Sequence, residues 1–227
     1  MMTAGLAPLS AAGGLKLVLA SNNAKKLAEL QALFDGLGVE LVRQGDLGVS
    51  EAEEPHITFI ENALAKARHA AAATSLPAIA DDSGLCVDAL GGMPGVISAN
   101  YATVVARSGV APEREAVRQS QDEANNALLL EKLRDIDDRR ANFACTLVAI
   151  RAADDPSPLV AVGRWNGEIL RAREGDGGFG YDPLMFIPSF GTTVASLSKE
   201  VKNAHSHRAI AAAQMKQLMR DAWHLSA

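Results

Sequence analysis

Residues 78–84 read Ala78-Ile79-Ala80-Asp81-Asp82-Ser83-Gly84. An apolar run stops at two adjacent carboxylates, a hydroxyl and a glycine, as a buried strand does when it delivers acidic groups to the edge of a cleft. Neighbouring carboxylates repel, so a fold keeps such a pair where a cation or a proton relieves the clash. One aspartate would suffice for an Asx turn that closes the strand at Gly84. The second aspartate and the hydroxyl after it favour a metal-binding or general-base role. Lysines near the start of the chain and a Lys/His/Arg cluster near its end supply the opposite charge. Acid and base together point to a magnesium-bridged phosphate substrate.

On the N-terminal side, Leu15 to Ala20 is a short apolar strand broken by Ser21-Asn22-Asn23. Asn23 is placed to cap a helix in which Leu27, Leu30, Leu33 and Leu37 recur at helical spacing, with Gly36 and Gly38 ending it. Val39 to Arg43 reads as a second strand. The segment Ser21-Asn22-Asn23-Ala24-Lys25-Lys26 sets amides, a hydroxyl and ammonium groups at a helix N-terminus, which makes an anion site. Plain capping with two solvated lysines is the alternative. Thr58-Phe59-Ile60-Glu61 is a capping box opening a helix to about Ala73, on which Asn62 and Lys66 share one face. Before it, Glu51, Glu53 and Glu54 form either a solvated loop or a source of one more acid for a metal.

On the C-terminal side, Gly91 to Gly95 is a tight loop, and residues 113–134 read as one or two helices. Phe143 to Ile150 and Leu159 to Trp165 are strands joined through Asp154 to Pro158 as a hairpin. Gly177-Gly178-Phe179-Gly180-Tyr181-Asp182-Pro183 combines glycines with two aromatics, either as a hinge or as a loop on which a planar base stacks. A last helix covers Ser206 to Trp223, with Ala211, Met215, Leu218 and Ala222 on one stripe. Lys202, His205, His207 and Arg208 cluster at its start, where the helix dipole favours acids. They therefore serve an anionic or carbonyl-bearing ligand. Strands alternate with helices early and pair as a hairpin later, which implies an α/β fold with a mixed sheet.

The composition narrows the options. A chain of 227 residues suits one large domain or two lobes sharing a core. Its formal net charge of −5 argues against a general nucleic-acid binder, so basic residues matter through local clustering. Cys86 and Cys145 have neither metal-ligand spacing nor the number for a disulfide framework. No apolar run approaches the roughly 20 residues of a membrane span. Residues 1–14 lack the basic start of a secretory signal and read as a flexible leader, which leaves a cytoplasmic location.

Five segments together carry a family resemblance. They are Leu19-Ala20-Ser21-Asn22-Asn23-Ala24-Lys25-Lys26, Thr58-Phe59-Ile60-Glu61-Asn62-Ala63 with Lys66-Ala67, Ile79-Ala80-Asp81-Asp82-Ser83-Gly84-Leu85, Gly178-Phe179-Gly180-Tyr181-Asp182-Pro183, and Ser206-His207-Arg208. In this order, from about residue 15 to the C-terminus, the chain resembles the inosine triphosphate pyrophosphatase family, the Ham1-like purine nucleoside triphosphatases. The resemblance implies an elongated α/β fold in one domain, residues 15–227. A central mixed sheet is flanked by helices, and the active-site cleft lies between two lobes. It implies hydrolysis of ITP, dITP and XTP to the monophosphate and pyrophosphate, clearing deaminated purines from the nucleotide pool, with Mg2+ as cofactor and a homodimer as the assembly.

Carried over residue by residue, Ser21 to Lys26 match the triphosphate loop and Lys66 a second phosphate contact. Asp82 matches the proton acceptor and magnesium ligand, and Ser83 an adjacent substrate contact. Glu53 is the matching second metal ligand, with Glu54 an alternative. Phe179, Gly180, Tyr181 and Asp182 match the loop enclosing the base, and Lys202, His207 and Arg208 the groups that read it. The chain departs from the family pattern at Asn22, where glycine is frequent, and at Lys25, where a small residue is frequent.

Water attacking the α-phosphorus under the control of Asp82 is the implied chemistry, with pyrophosphate leaving. Arg208 would donate to the 6-carbonyl of hypoxanthine or xanthine, which the amino group of adenine cannot match. GTP shares that carbonyl, so the 2-position has to be read as well. Three other readings stand beside this one: a pyrophosphatase for modified pyrimidine nucleotides or dTTP and UTP, a non-catalytic nucleotide sensor, and a simple phosphatase.

Overall fold

A computed structural model describes residues 14–102 and 114–225; the proposed leader, apart from Gly14, lies outside the described residues. In chain order the elements are β1 (Leu15–Leu19), α1 (Ala24–Leu33), β2 (Val39–Arg43), α2 (Phe59–Thr74), β3 (Ala78–Val87) and α3 (Arg114–Lys132). Then follow β4 (Arg140–Ile150), β5 (Leu159–Ile169), β6 (Met185–Ile187), β7 (Thr192–Thr193), α4 (Lys199–His205) and α5 (His207–Trp223). Among the described residues the strands form one seven-stranded sheet in the order β2-β1-β3-β4-β5-β6-β7. β1 pairs parallel with β2 and β3, whereas β5–β6 and β6–β7 are antiparallel. The sheet is therefore mixed. β4 and β5 are neighbours joined by a short turn, in which Asp155 accepts hydrogen bonds from the amides of Arg151 and Ser157.

The chain divides into two compact units. One contains the chain up to Asp82, Cys145–Gly163 and the segment from Ser206 onward; the other contains Ser83–Ala144 and Arg164–His205. In the first unit, Leu17 and Leu19 face α1 and α5 and pack with Leu30, Phe34, Ile79, Leu147, Met215, Met219 and Trp223. Val18 and Ala20 face the other way, onto Ala63, Ala67, Ala70 and Ala71 of α2. The period-two alternation of β1 thus feeds two cores at once, which is why this strand reads as a continuous apolar run. The second unit is built on Leu85, Leu129, Leu133, Phe143, Trp165, Ile169, Tyr181 and Leu184.

Local signals account for much of this. Asn23 Oδ1 accepts from the Lys26 amide, 3.2 Å away, and caps α1 as its position suggested. Thr58 Oγ1 accepts from the Glu61 amide and starts α2, while its hydroxyl donates to the Glu61 carboxylate at 2.5 Å. Ser206 caps α5 through the Ala209 amide. The stripe expected on α5 is shifted. Ala222 is exposed and Leu218 half-buried, whereas Ala211, Ala212, Met215, Met219 and Trp223 are buried. Two rows at i+4 spacing compete on such a helix, and the aromatic end of one decides which row packs.

Gly163 explains how closely α5 approaches the sheet. A Cβ there would collide with the backbone carbonyl of His207 and lie 2.6 Å from the Ala211 amide nitrogen, atoms of a helix that cannot swing aside. A glycine inside a strand often marks such an approach. Gly163→Ala is therefore expected to lower stability by about 1–3 kcal/mol, read as an earlier midpoint in denaturant. An unchanged midpoint would mean that α5 moves off the strand freely.

Candidate active site

The acidic pair does not terminate β3, as its reading as a strand tip anticipated. The strand runs on to Val87 and Gly84 keeps an extended backbone. Side chains alternate along a strand, so Asp81 and Asp82 point to opposite faces of the sheet. Asp81 follows Ile79 toward α1 and α5, and Asp82 follows Ala78 and Ala80 toward α2. The repulsion expected between the two carboxylates is thereby relieved by geometry, and each has its own cations.

On the first face, Lys26 of α1 pairs with Asp81 Oδ1. Arg208 Nε donates to Asp81 Oδ2 at 3.0 Å, and its Nη1 donates to Glu29 at 2.9 Å. The thiol of Cys145 donates to Asp81 at 3.4 Å. Arg208 is only 3% exposed. Burial by itself would pull its pKa down, but Asp81 and Glu29 outweigh this and hold the guanidinium charged. Two cations face two anions, so this face is formally neutral. Nε and Nη1 of Arg208 are thus committed to carboxylates, so its expected role as a reader of the base rests on Nη2.

On the second face, Lys66 Nζ donates to Asp82 Oδ1 at 2.9 Å and to Glu54 at 3.0 Å. Of the two acids left open in the loop, both exposed, Glu54 is the one that meets Asp82 through Lys66. The acidic loop is held to α2 at both ends. Asn62 accepts from the His56 amide and donates to the His56 carbonyl, and His69 Nε2 lies 3.0 Å from the Ser50 carbonyl. Sequence reading noticed Asn62 only as a neighbour of Lys66.

Two carboxylates and one lysine leave this face with a formal charge of −1. Asp82 Oδ2 is buried and has no hydrogen-bond partner. Burial pushes the Asp82 pKa up to about 6; Lys66 opposes the shift and Glu54 adds to it. Burial likewise works against the Lys66 ammonium, but Asp82 and then Glu54 raise its pKa overall.

An orphaned buried carboxylate oxygen on an anionic face, beside a second carboxylate, is the donor chemistry of a hard divalent cation. Among the described residues no group of three or more His, Cys, Asp or Glu side chains forms a cage. Mg2+ is commonly held by one or two carboxylates with substrate phosphates completing the shell, so a partial protein site fits it.

Among the other residues of the first loop, the Asn23 amide donates to Ser21 Oγ at 3.2 Å. Asn22 is exposed, and its side chain lies over Gly45, where any Cβ would strike it. Its backbone is not left-handed, so nothing in the main chain demands glycine at this position. Ala24 is exposed on the first turn of α1. The side chain of Lys25 lies outside the described residues. His207, half-buried, opens α5, and Ser83 is half-buried on β3.

In the second unit, Lys202 sits at the end of α4, separate from the helix that carries His207 and Arg208. Its Nζ donates to Asp182 at 2.6 Å and stands 4.5 Å from the centre of the Phe179 ring. Asp182 also accepts from the Phe179 amide at 3.0 Å. Phe179 itself is half exposed, whereas Tyr181 and Asp182 are buried.

Residues 17–218 match the Ham1 family model. The chain is 66% identical over 212 residues to the dITP/XTP pyrophosphatase of Leptothrix cholodnii, covering 93% of this chain and all of that one. Identity to the Methylibium petroleiphilum dITP/XTP pyrophosphatase is 65% over 209 residues, covering 92% and 99%. Among solved structures, a HAM1 protein from Coxiella burnetii superimposes with a TM-score of 0.81 at 42% identity, covering 92% of this chain and 100% of that chain. The Staphylococcus aureus Ham1 protein does so with 0.76 at 36% identity, covering 91% and 98%. Sequence, fold and the grouping of charges about Asp81 and Asp82 converge: the chain belongs to the Ham1 family.

Proposed function

We propose that this chain is a dITP/XTP pyrophosphatase that hydrolyses dITP, XTP and ITP to the nucleoside monophosphate and pyrophosphate. The observation that carries the reading is Asp82: a buried carboxylate, held at one oxygen by Lys66, unpartnered at the other, on a face with one surplus negative charge. The same activity is named for relatives at 66% and 65% identity that match this chain over nearly its full length.

The residues divide the work. Asp82 accepts a proton from the attacking water as its oxygen bonds to the α-phosphorus, and the bond from that phosphorus to the bridging oxygen of the β-phosphate breaks. Lys66 holds Asp82 by one oxygen, so the other points consistently at its target. Lys66 and Lys26 supply positive charge for the triphosphate, with the loop Ser21–Lys26 offering amides and side-chain donors. Asp82 and Glu54 are the residues that would hold Mg2+, which when bound neutralises phosphate charge and polarises the scissile anhydride. In the second unit, Phe179 offers a stacking face for the base, and Lys202 offers a donor to its 6-carbonyl. The magnesium requirement, a homodimer and a cytoplasmic location belong to the same proposal.

The test is a nucleotide panel of dITP, ITP, XTP, GTP, ATP, dATP, dTTP and UTP, run with and without Mg2+, with products identified. The expected result is pyrophosphate from the first three, with kcat/KM for dITP roughly 100-fold or more above that for dATP. Orthophosphate as product would replace the reading by a phosphatase, preference for pyrimidines by a pyrimidine nucleotide pyrophosphatase, and binding without turnover by a sensor.

A further inference from the structure

The loop that presents Phe179 is gripped from behind by α3. Asp122 and Asn126 are four residues apart and share one face of that helix. Asp122 Oδ2 accepts from the Gly180 amide at 2.8 Å, and Asn126 Nδ2 donates to the Gly180 carbonyl at 2.8 Å. Both backbone groups of one residue are therefore held by one helical turn. The Asn126 amide is also fixed in orientation, because its Nδ2 donates to the Asp122 carbonyl at 2.8 Å as well.

Gly180 is left-handed, with φ +61°, and a Cβ on it would meet nothing within 4 Å. Glycine is required there by the backbone angle alone, so its clamp determines how the neighbouring residues are pitched. On the far side of Gly180, the Tyr181 hydroxyl donates to the Ser98 carbonyl at 2.8 Å, and Asn125 of the same helix donates to the Ala99 carbonyl at 3.0 Å. Burial, with Tyr101 and Asp122 nearby, raises the Tyr181 pKa, so this donor keeps its proton. The Gly180 peptide is thus clamped and Tyr181 buried, while the Phe179 ring is half exposed beneath the Lys202 ammonium.

We propose that Asp122 and Asn126 are positioning residues for base selection: they fix the peptide of Gly180 and with it the plane that the Phe179 ring offers a purine. The inference rests on the pyrophosphatase reading and extends it to residues that do not touch the substrate. A purine that stacks on a correctly pitched ring brings its 6-position to a fixed donor. A ring released from its clamp still stacks but no longer discriminates.

The test uses the full-length enzyme with Asp122→Ala, Asp122→Asn and Asn126→Ala. Alanine is a strong helix former and Asp122 is half-buried, so the first variant keeps α3. We expect KM for dITP to rise about tenfold in Asp122→Ala and the kcat/KM ratio of dITP over dATP to fall about tenfold, with kcat altered less than about threefold. Asp122→Asn retains an acceptor oxygen for the Gly180 amide and should restore the ratio. The ratio is read on Asn126→Ala too, so a folding failure in one variant leaves a second reading. A ratio within about twofold of the unsubstituted enzyme in both alanine variants overturns the proposal. So does a fall that Asp122→Asn fails to restore, which would mark a merely structural role. If the unsubstituted enzyme releases no pyrophosphate from dITP, the pyrophosphatase reading fails instead, a separate result from either of these.

Discussion

Asp82→Asn abolishes turnover, by roughly 10²–10⁴-fold, while leaving the folded protein at least as stable as before at neutral pH. The catalytic half follows from the loss of the proton acceptor. The stability half follows from the raised pKa. Asp82 titrates near 6 in the folded chain against an ordinary value of 3.8. Between these pH values the folded state binds more protons than the unfolded state, so stability falls as pH rises through the window. Above it, the ionised side chain costs the fold about 2–3 kcal/mol. Asparagine mimics the protonated acid, still accepts from Lys66 and removes this cost. Thermal melts should show the variant several degrees above the unsubstituted protein at pH 7.5, with the gap closing below about pH 4. Turnover within tenfold of normal would remove Asp82 from the mechanism. Activity and stability of the unsubstituted enzyme should also move in opposite directions across pH 4–6, because the acceptor works only when ionised.

Arg208→Ala is the second large effect, and it appears first as lost stability. The guanidinium is buried between Asp81 and Glu29, and removing it leaves two carboxylates short of a partner. Breaking such a pair costs about 3–5 kcal/mol. For a chain of this size that lowers the melting temperature by about 10 °C. Asp81 keeps Lys26, which sets the effect toward the lower end. Were Arg208 a reader of the base as well, the preference for dITP over dATP would collapse along with the melting temperature. Calorimetry and the nucleotide panel on the same variant separate the two.

Much of this architecture is legible in the sequence where the signal is local. The Asn23 cap, the Thr58–Glu61 capping box, the turn at 154–158 and the Ser206 cap each act within a few residues, and each produces the expected element boundary to within a residue or two. The failures share a cause. Aspartate, serine and glycine disfavour strands, so Asp81-Asp82-Ser83-Gly84 reads as an ending. The strand continues because Lys66, Lys26 and Arg208 arrive from 16, 55 and 127 residues away to neutralise it. The contact of Glu54 with Lys66 was equally hidden. It depends on a loop held by Asn62 and His69, and spacing within a run of acids says nothing about which one reaches the lysine. Likewise, the contact of Asp122 and Asn126 with Gly180 spans more than fifty positions and leaves no periodic trace.

The alternation along β3 has an evolutionary corollary. Glu29, Asp81 and Arg208 are tied to one another, so a change at one of them invites a compensating change at another. Asp82 sits on a face left with one negative charge, and on the mechanism proposed above a substitution that restored neutrality there would silence the enzyme. A single peptide bond thus separates a position open to compensated change from one that is not.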